Sequence, residues 1–540
     1  MNRRDIIRQL SVFPFAGGAL ATNSLDLDRT SRMITEQKFG RSDKNIYESI
    51  GVDTIVNCRG TFTILGGSIE LPEVIDAMEA ASGNFVQYDE LAYGIGKRLA
   101  ELTQTQWGMV SSGCAAGLKH VTAACVTGGN PEKLIRIPDL RGFEKYEVIA
   151  PRTSRNMYDH AVRNVGVKMI TVETPEEMQR AINKHTAMIY LVLGRHTEKG
   201  EPLSLEAVAE IAKPHNIPIL ADAAAEDLTI PPIHLERGAT IVAYSGGKAI
   251  RGPQCAGLLL GDKDILMAAW QASSPHHGPG RDNKVGKEEM LGMLAAVEAW
   301  TRRDHDQIWQ QWLGWLDLIA KKVESINGIK TEVREPEGLS NHAPSLHIWW
   351  DPDAFNLTGF DVAEELGRNK PRVAVGDRDR DGLTSVNITP NQMQEGEAEI
   401  VANRLHAVLS KKHAPKPKPA APKVNLQGHW QTEVSFFNGT STHLLFLEQD
   451  GNWLQGKHQT DFEILDLVGM IEADEIKMRS RFYKPGNHLL YLFTGKATGD
   501  EITGSIFLGE YLTAQFKATR IKRDEKRTPI LVPGGPPLAT

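Results

Sequence analysis

Cysteine is scarce. The 540 residues hold four, Cys58, Cys114, Cys125 and Cys255, with no CxxC pair. That excludes a disulfide scaffold, a zinc ribbon and a thioredoxin-type site, and leaves small buried side chains as the expected role. Long apolar runs are also missing: none approaches the ~20 residues of a membrane helix, so no membrane anchor is expected. Positive charge is not in excess. Lys and Arg number 61 against 68 Asp and Glu, for a net charge of −7. That argues against a nucleic-acid partner, whose binding rests on cations at phosphates. A nucleotide-binding P-loop fails too, because Ala249 follows Lys248 where GxxxxGK[ST] needs Ser or Thr. With 41% hydrophobic residues, the chain is a globular protein. At about 150 residues per domain it holds roughly two to four folded units.

The first segment has the pattern of an export signal. MNRRDIIR, with Arg3 and Arg4, precedes the short apolar run LSVFPFAGGALA, which ends in Ala19-Leu20-Ala21. Residues 1–21 are expected to be a cleaved twin-arginine-type signal, a route used by already folded proteins. The expected location is periplasmic or exported, with a cytoplasmic one as the alternative. Residues 22–45 read as a linker. From 46 to 328, buried-strand runs such as AMIYLVLG, IPILAD and TIVAYSG alternate with helical spacing, which predicts a mostly parallel sheet with helices on both faces. Residues 286–325 carry Trp300, Trp309, Trp312 and Trp315, read as core or subunit interface. Residues 329–410 read as a smaller α/β domain, and 411–424 as a Lys/Pro/Ala linker. Residues 425–522 have short alternating runs broken at Asp450-Gly451, Pro485-Gly486 and Gly499-Asp500, predicting an antiparallel sheet or small barrel. Residues 523–540 are a Pro/Gly-rich tail.

Three pieces carry chemistry. Asp222, in ADAAAE, closes the strand IPIL, and ligands of open α/β sheets bind outside such strand ends. Lys248 stands in YSGGKAIRGP, in a Gly-rich turn after the next strand, where partial withdrawal from water makes an amine nucleophilic. Upstream, MVSSGCAAGL runs a strand into a helix whose first residues, Ser112, Gly113 and Cys114, offer backbone N–H groups to a phosphate. Pyridoxal phosphate needs these three things: an amine for its aldehyde, a carboxylate for its pyridine nitrogen and a cradle for its phosphate. Ser245 could add a hydroxyl to that cradle and Arg251 a positive charge.

The runs VDTIVNCRGTFTILGGS, MVSSGCAAGL, RNMYDHAVRNVG, LADAAAEDL, YSGGKAIRGPQCAGLLLG and GRDNKVGKEEM resemble a fold-type-I pyridoxal-phosphate family. It is the bacterial selenocysteine synthase (seryl-tRNA selenium transferase)-like group, on the side of its D-glucosaminate-6-phosphate ammonia-lyase branch. The resemblance covers roughly residues 46–410, and DAAAE and SGGKAIRGP are its most specific parts. It implies a large pyridoxal-phosphate domain with a small α/β domain, coenzyme attachment at Lys248, a pyridine contact from Asp222, and a homo-oligomer, dimer or larger. It also brings in His160 beside the cofactor, Arg155 and Asn156 near cofactor or substrate, and Arg281, Lys284 and Lys287 as holders of an anion. Arg59, where this branch often has a small residue, is a candidate for the substrate carboxylate. The 425–522 domain lies outside the resemblance. An acidic chain with an export signal argues against tRNA, and export argues against a phosphorylated sugar acid.

The expected chemistry is Cα-proton abstraction by the Lys248 amine and α,β-elimination on an anionic amino acid or amino-sugar acid, giving a 2-keto acid and ammonia. A transferase, a transaminase or a racemase would use the same first steps, and aldol cleavage the same coenzyme link. A non-catalytic binding protein on this scaffold is the rival from another class. Retention of both Lys248 and Asp222 favours the enzyme.

Overall fold

A computed structural model describes residues 45–522 except Lys416. The proposed signal (1–21) and tail (523–540) therefore lie outside the described residues, as does nearly all of the 22–45 linker. Two compact units divide after Ile55. The described part of the first holds a short 3-10 turn, Glu48–Ile50; everything below concerns the second.

That unit opens with a two-residue strand, β1 (Val56–Asn57). A seven-stranded sheet follows, made of β2 (Trp107–Ser111), β3 (Glu147–Pro151), β4 (Lys168–Val172), β5 (Thr186–Val192), β6 (Ile219–Asp222), β7 (Ile241–Ser245) and β8 (Gly257–Gly261). Its order is β2-β8-β7-β6-β5-β3-β4. Only β8 runs antiparallel to its neighbours, so the sheet is mostly parallel, as the sequence predicted. The cause is visible in β5, where TAMIYL is buried throughout: an apolar run with no polar alternation can sit only inside a covered sheet. Helix Gly113–Thr127, rich in Ala and buried almost all round, packs against that sheet.

The smaller domain holds β9 (Lys330–Arg334), β10 (Ser345–Trp350), β11 (Val373–Ala374), β12 (Gly376–Arg380) and β13 (Leu383–Ile388). Four of these form an antiparallel sheet, β12-β13-β10-β9, while β11 pairs in parallel with β1. The predicted boundary at 328/329 needs correction at both ends. Val56 and Cys58 join this domain's core, and so do Leu316, Ile319 and Val323 of helix His305–Glu324. A helix's apolar stripe shows that it is packed, not which core it faces.

The last domain is a closed eight-stranded barrel of β14 (Gly428–Phe436), β15 (Gly439–Asp450), β16 (Trp453–Gln459), β17 (Ile464–Glu472), β18 (Glu475–Lys484), β19 (Asn487–Thr498), β20 (Glu501–Phe507) and β21 (Thr513–Ile521). Neighbours follow chain order, and β14 pairs with β21 to close it. Closure removes the exposed edges an open sheet would present. Strict alternation in β18, where Ile476, Met478 and Ser480 face inward, fills the interior. The three predicted turns are real: Gly451, Gly486 and Gly499 have φ of 56°, 78° and 61°, a region that favours glycine.

Candidate functional site

Asp222 ends β6 and Lys248 follows the end of the adjacent β7, so both stand at the same edge of the sheet. Lys248 is partly buried, in a turn closed by its backbone N–H to the Ser245 carbonyl and by the Arg251 N–H to its own carbonyl. The Gly246–Gly247 pair is required there. A Cβ on Gly246 would lie 2.7 Å from the Met293 sulfur, and one on Gly247 2.2 Å from Gln254 Oε1. The chain before the site closes over this turn, with the Ser68 N–H donating to the Gly247 carbonyl at 3.1 Å.

Asp222 is buried, which pushes its carboxyl above the usual range. Four groups oppose that. The Tyr190 hydroxyl donates to Oδ2 at 2.9 Å, the Ala224 N–H to Oδ1 at 3.1 Å, the Lys248 charge lies within electrostatic reach, and the Cys114 thiol donates at 3.8 Å. Cys114 itself is buried, its thiol held well up by burial and by Asp222. Helix Gly113–Thr127 therefore begins beside the carboxylate. Its N-cap, Ser112, makes no side-chain cap bond, so the first N–H groups keep their capacity for an anion.

These residues fit pyridoxal phosphate. A carboxylate buried this deeply with only neutral donors in contact is incompletely compensated, and a protonated ring nitrogen supplies the missing charge. An amine and a helix N-terminus converge on the same strand ends. Cys114 keeps its expected place at the helix start, its backbone available to the phosphate, while its side chain serves the carboxylate. Ser245 is partly buried, within the Lys248 turn.

Other expected residues lie elsewhere. Arg155 is bound to buried Asp159, to Thr171 Oγ1 at 2.6 Å and to the Pro485 carbonyl at 3.5 Å; Arg163 holds the other Asp159 oxygen and the Gly486 carbonyl. This network docks the β18–β19 hairpin onto the sheet domain, so Arg155 is committed to packing rather than to a substrate. Asn156 caps a short turn through the Tyr158 N–H, and His160 is exposed. Arg59 is exposed, over the Phe62 ring at 4.9 Å. Arg281 bonds Ser274, Lys284 is exposed, and Lys287 holds the Ala81 carbonyl and Glu288. Arg251 leaves the phosphate site: its Nε donates to the Ile69 carbonyl and it lines a cavity of about 690 Å³ between the two α/β domains. Trp309, Trp312 and Trp315 line the same cavity; Trp315 also packs against the smaller domain's core, so the core reading holds for it and for Trp300, which is buried and bonds the Leu228 carbonyl. Cys255 is exposed, against the buried role expected of it.

Tyr190 and Arg303 were not found from sequence. Tyr190 reads as one more apolar residue of a buried strand, and Arg303 lies without distinction inside the stretch 286–325. Arg303 donates to the Ala249 and Ile250 carbonyls, immediately after Lys248.

No family model matches the chain. Two curated proteins are similar over 67% of it. D-glucosaminate-6-phosphate ammonia lyase of Salmonella typhimurium is 27% identical over 376 residues, 98% of its own length. The 5'-C-glycyluridine monooxygenase-decarboxylase of a Streptomyces species is 28% identical over 379 residues, 92% of its length. Among solved structures, a D-glucosaminate-6-phosphate ammonia-lyase superposes with a TM-score of 0.60 at 26% identity, covering 68% of this chain and 99% of its own.

Proposed function

The chain is a pyridoxal-phosphate enzyme of fold type I and lyase type, related to D-glucosaminate-6-phosphate ammonia lyase, and from that premise we propose that it eliminates a β-substituent from an anionic amino acid or amino-sugar acid to release a 2-keto acid and ammonia. When bound, the coenzyme draws electrons from the carbon bearing the substrate amine and makes its C–H bond acidic. The chain's residues do the rest. Lys248 would hold the coenzyme through its amine, and the same amine, at Nζ, is the base placed to take the Cα proton. Asp222 would balance the charge of the ring nitrogen. Tyr190 and the Ala224 N–H hold Asp222 in place and favour its ionised form. Ser112, Gly113 and Ser245 offer donors to the phosphate.

The observation that carries this reading is the approach of Lys248 to Asp222 at one sheet edge, beside the start of helix Gly113–Thr127. The purified full chain loaded with coenzyme is expected to show a visible absorbance band that Lys248→Ala abolishes, and to release ammonia and keto acid from a β-hydroxy amino acid or amino-sugar acid. A wild-type chain that takes up no coenzyme, or one that is loaded and releases ammonia from no β-substituted amine, would refute it.

We also propose a homo-oligomer, supported by the exposed apolar side chains Ile64 and Phe85. Export through the 1–21 signal is proposed from the sequence.

A further inference from the structure

The barrel carries a hollow that the chemistry at Lys248 does not use. An antiparallel sheet with one solvated face is expected to turn polar side chains outward. Several outer cations of this barrel meet a carboxylate across the ladder: Lys457 with Asp466 at 2.5 Å, Lys496 with Glu475 at 3.7 Å and Lys517 with Glu501 at 2.7 Å. One patch, over β15 to β19, breaks that pattern.

Two rows of outward side chains cross the strands there. In the first, Glu448 stands opposite Gln455, Gln455 opposite Val468, and Val468 opposite Arg479. In the second, Asp450 stands opposite Trp453, Trp453 opposite Met470, and Met470 opposite Lys477. Each row runs from a carboxylate on β15 to a cation on β18, with apolar surface between. Trp453 is 68% exposed and Val468 49%, whereas their neighbour Leu454 is buried. Among the described residues the side chains of Asp450, Lys477 and Arg479 have no partner, and Glu448 meets only Gln455, at 2.8 Å. Acids and cations lie three strand spacings apart, about 14 Å along the sheet. That is longer than the Debye length of about 8 Å at physiological salt, so the two edges do not neutralise each other. The rows line a hollow of about 1010 Å³, at the upper end of the usual range for a small-molecule site. Gly469 lies between them; a Cβ there would be 2.4 Å from the Lys477 carbonyl, and a glycine inside a strand permits so close an approach.

A hollow negative along one edge, positive along the other and apolar between is complementary to a molecule with the opposite order. A lone anion gains at β18 and is repelled at β15; a lone cation meets the reverse. A zwitterion with an apolar body gains at both edges if its charges lie about as far apart as the edges do. An extended peptide of about four residues has that length, at about 3.3–3.6 Å per residue, with an ammonium at one end and a carboxylate at the other. We propose that this outer groove of the barrel binds short apolar peptides with free termini, the ammonium toward Glu448 and Asp450, the carboxylate toward Arg479 and Lys477, and the side chains over Trp453, Val468 and Met470.

Calorimetric titration of the full, coenzyme-loaded chain with the tetrapeptide Ala-Leu-Ala-Leu is expected to show binding. Acetylating its N-terminus or amidating its C-terminus should each weaken binding about twofold to fivefold, the range for exposed ion pairs. Trp453→Ala should weaken it about tenfold or more, as for lost apolar burial, and Trp453→Phe, which keeps an aromatic face, should recover most of it. Orientation is read from a double-mutant cycle. With Glu448→Gln and Asp450→Asn together, acetylation should no longer matter while amidation still does; Lys477→Gln with Arg479→Gln should show the reverse. All these positions face outward, and an unchanged unfolding midpoint certifies the barrel in each variant. Wild type that binds no tetrapeptide at millimolar concentration, Trp453→Ala that binds as tightly as wild type, or a cycle in which the blocked termini keep their full effect would overturn the proposal. Dodecanoate binding as tightly as the peptide would assign the groove to a lone anion, and a wild-type oligomer dissociated by Trp453→Ala would assign it to a second copy; each overturns it as well. Lys248→Ala should bind the peptide as wild type does, which separates this outcome from that of the coenzyme reading.

Discussion

The barrel carries a buried pair of histidines whose titration makes a sharp prediction. His443 Nδ1 and His458 Nε2 are 2.9 Å apart, and His458 Nδ1 meets Ser480 Oγ at 2.7 Å. His458 is fully buried among Tyr491, Phe493 and Leu445, and His443 faces Thr432 across the strand pair and Asp461 at 3.9 Å. Burial, then the neighbouring His443, holds His458 down to about 3. An unfolded histidine titrates near 6.5. As pH falls through 6.5 the unfolded chain takes a proton that the folded barrel refuses. The stabilisation is thus complete above about 6.5 and is lost progressively toward 3. Between pH 7.5 and pH 5 the loss is about 2 kcal/mol from His458 alone, and the full span is roughly 4–5 kcal/mol. Replacing His458 with Leu strips His443 and Ser480 of a partner and costs about 1–3 kcal/mol at pH 7.5, but it removes this acid sensitivity. The gap between wild type and His458→Leu should therefore shrink by about 2 kcal/mol at pH 5. Hydrogen exchange of strands 453–459 and 475–484 in the full chain measures it, and comparison at equal pH cancels the intrinsic exchange chemistry. A gap that stays constant within about 0.5 kcal/mol across that range would refute the reasoning.

Two other perturbations probe the catalytic domain. Tyr190→Phe removes a donor that favours ionised Asp222, so the acid limb of activity and of the visible band should move up by about one to two pH units, the equivalent of a hydrogen bond to a charge; an unmoved limb would separate Tyr190 from the site. Gly486→Val puts a Cβ 2.7 Å from both Asp159 oxygens at a residue with φ of 78°, so the hairpin must lift off Arg155 and Arg163. Limited proteolysis of the 411–423 linker should accelerate several-fold, and unchanged cleavage would show that the hairpin does not tie the barrel down.

Much of the site was legible because its chemistry sits where the backbone is unusual. Lys248 follows two glycines that no Cβ could replace, and Asp222 interrupts an apolar run at a strand end; both features survive in one dimension. Tyr190 does not, because its value lies in a bond from one strand to the next. Arg303 was hidden for a similar reason: its partners, the Ala249 and Ile250 carbonyls, are distant in sequence. Arg155 shows the opposite failure. Its spacing of four from Asp159, and that of Asp159 from Arg163, is the helical ion-pair spacing, and it could have been read as packing before it was read as binding. The barrel's strands and turns were plain from alternation and glycine, whereas its closure depends on the pairing of its first and last strands, which no local pattern reports.

The two curated relatives, at 27% and 28% identity, carry different names for their chemistry, a lyase and a monooxygenase-decarboxylase, so likeness alone does not choose a scissile bond. The coenzyme contacts do not choose it either. Asp222, Tyr190 and the helix start serve any reaction that places negative charge on the carbon next to the amine. Selection falls to the groups that fix the rest of the substrate, because only an interaction stronger in one transition state than in its rivals can favour one bond at Cα over another.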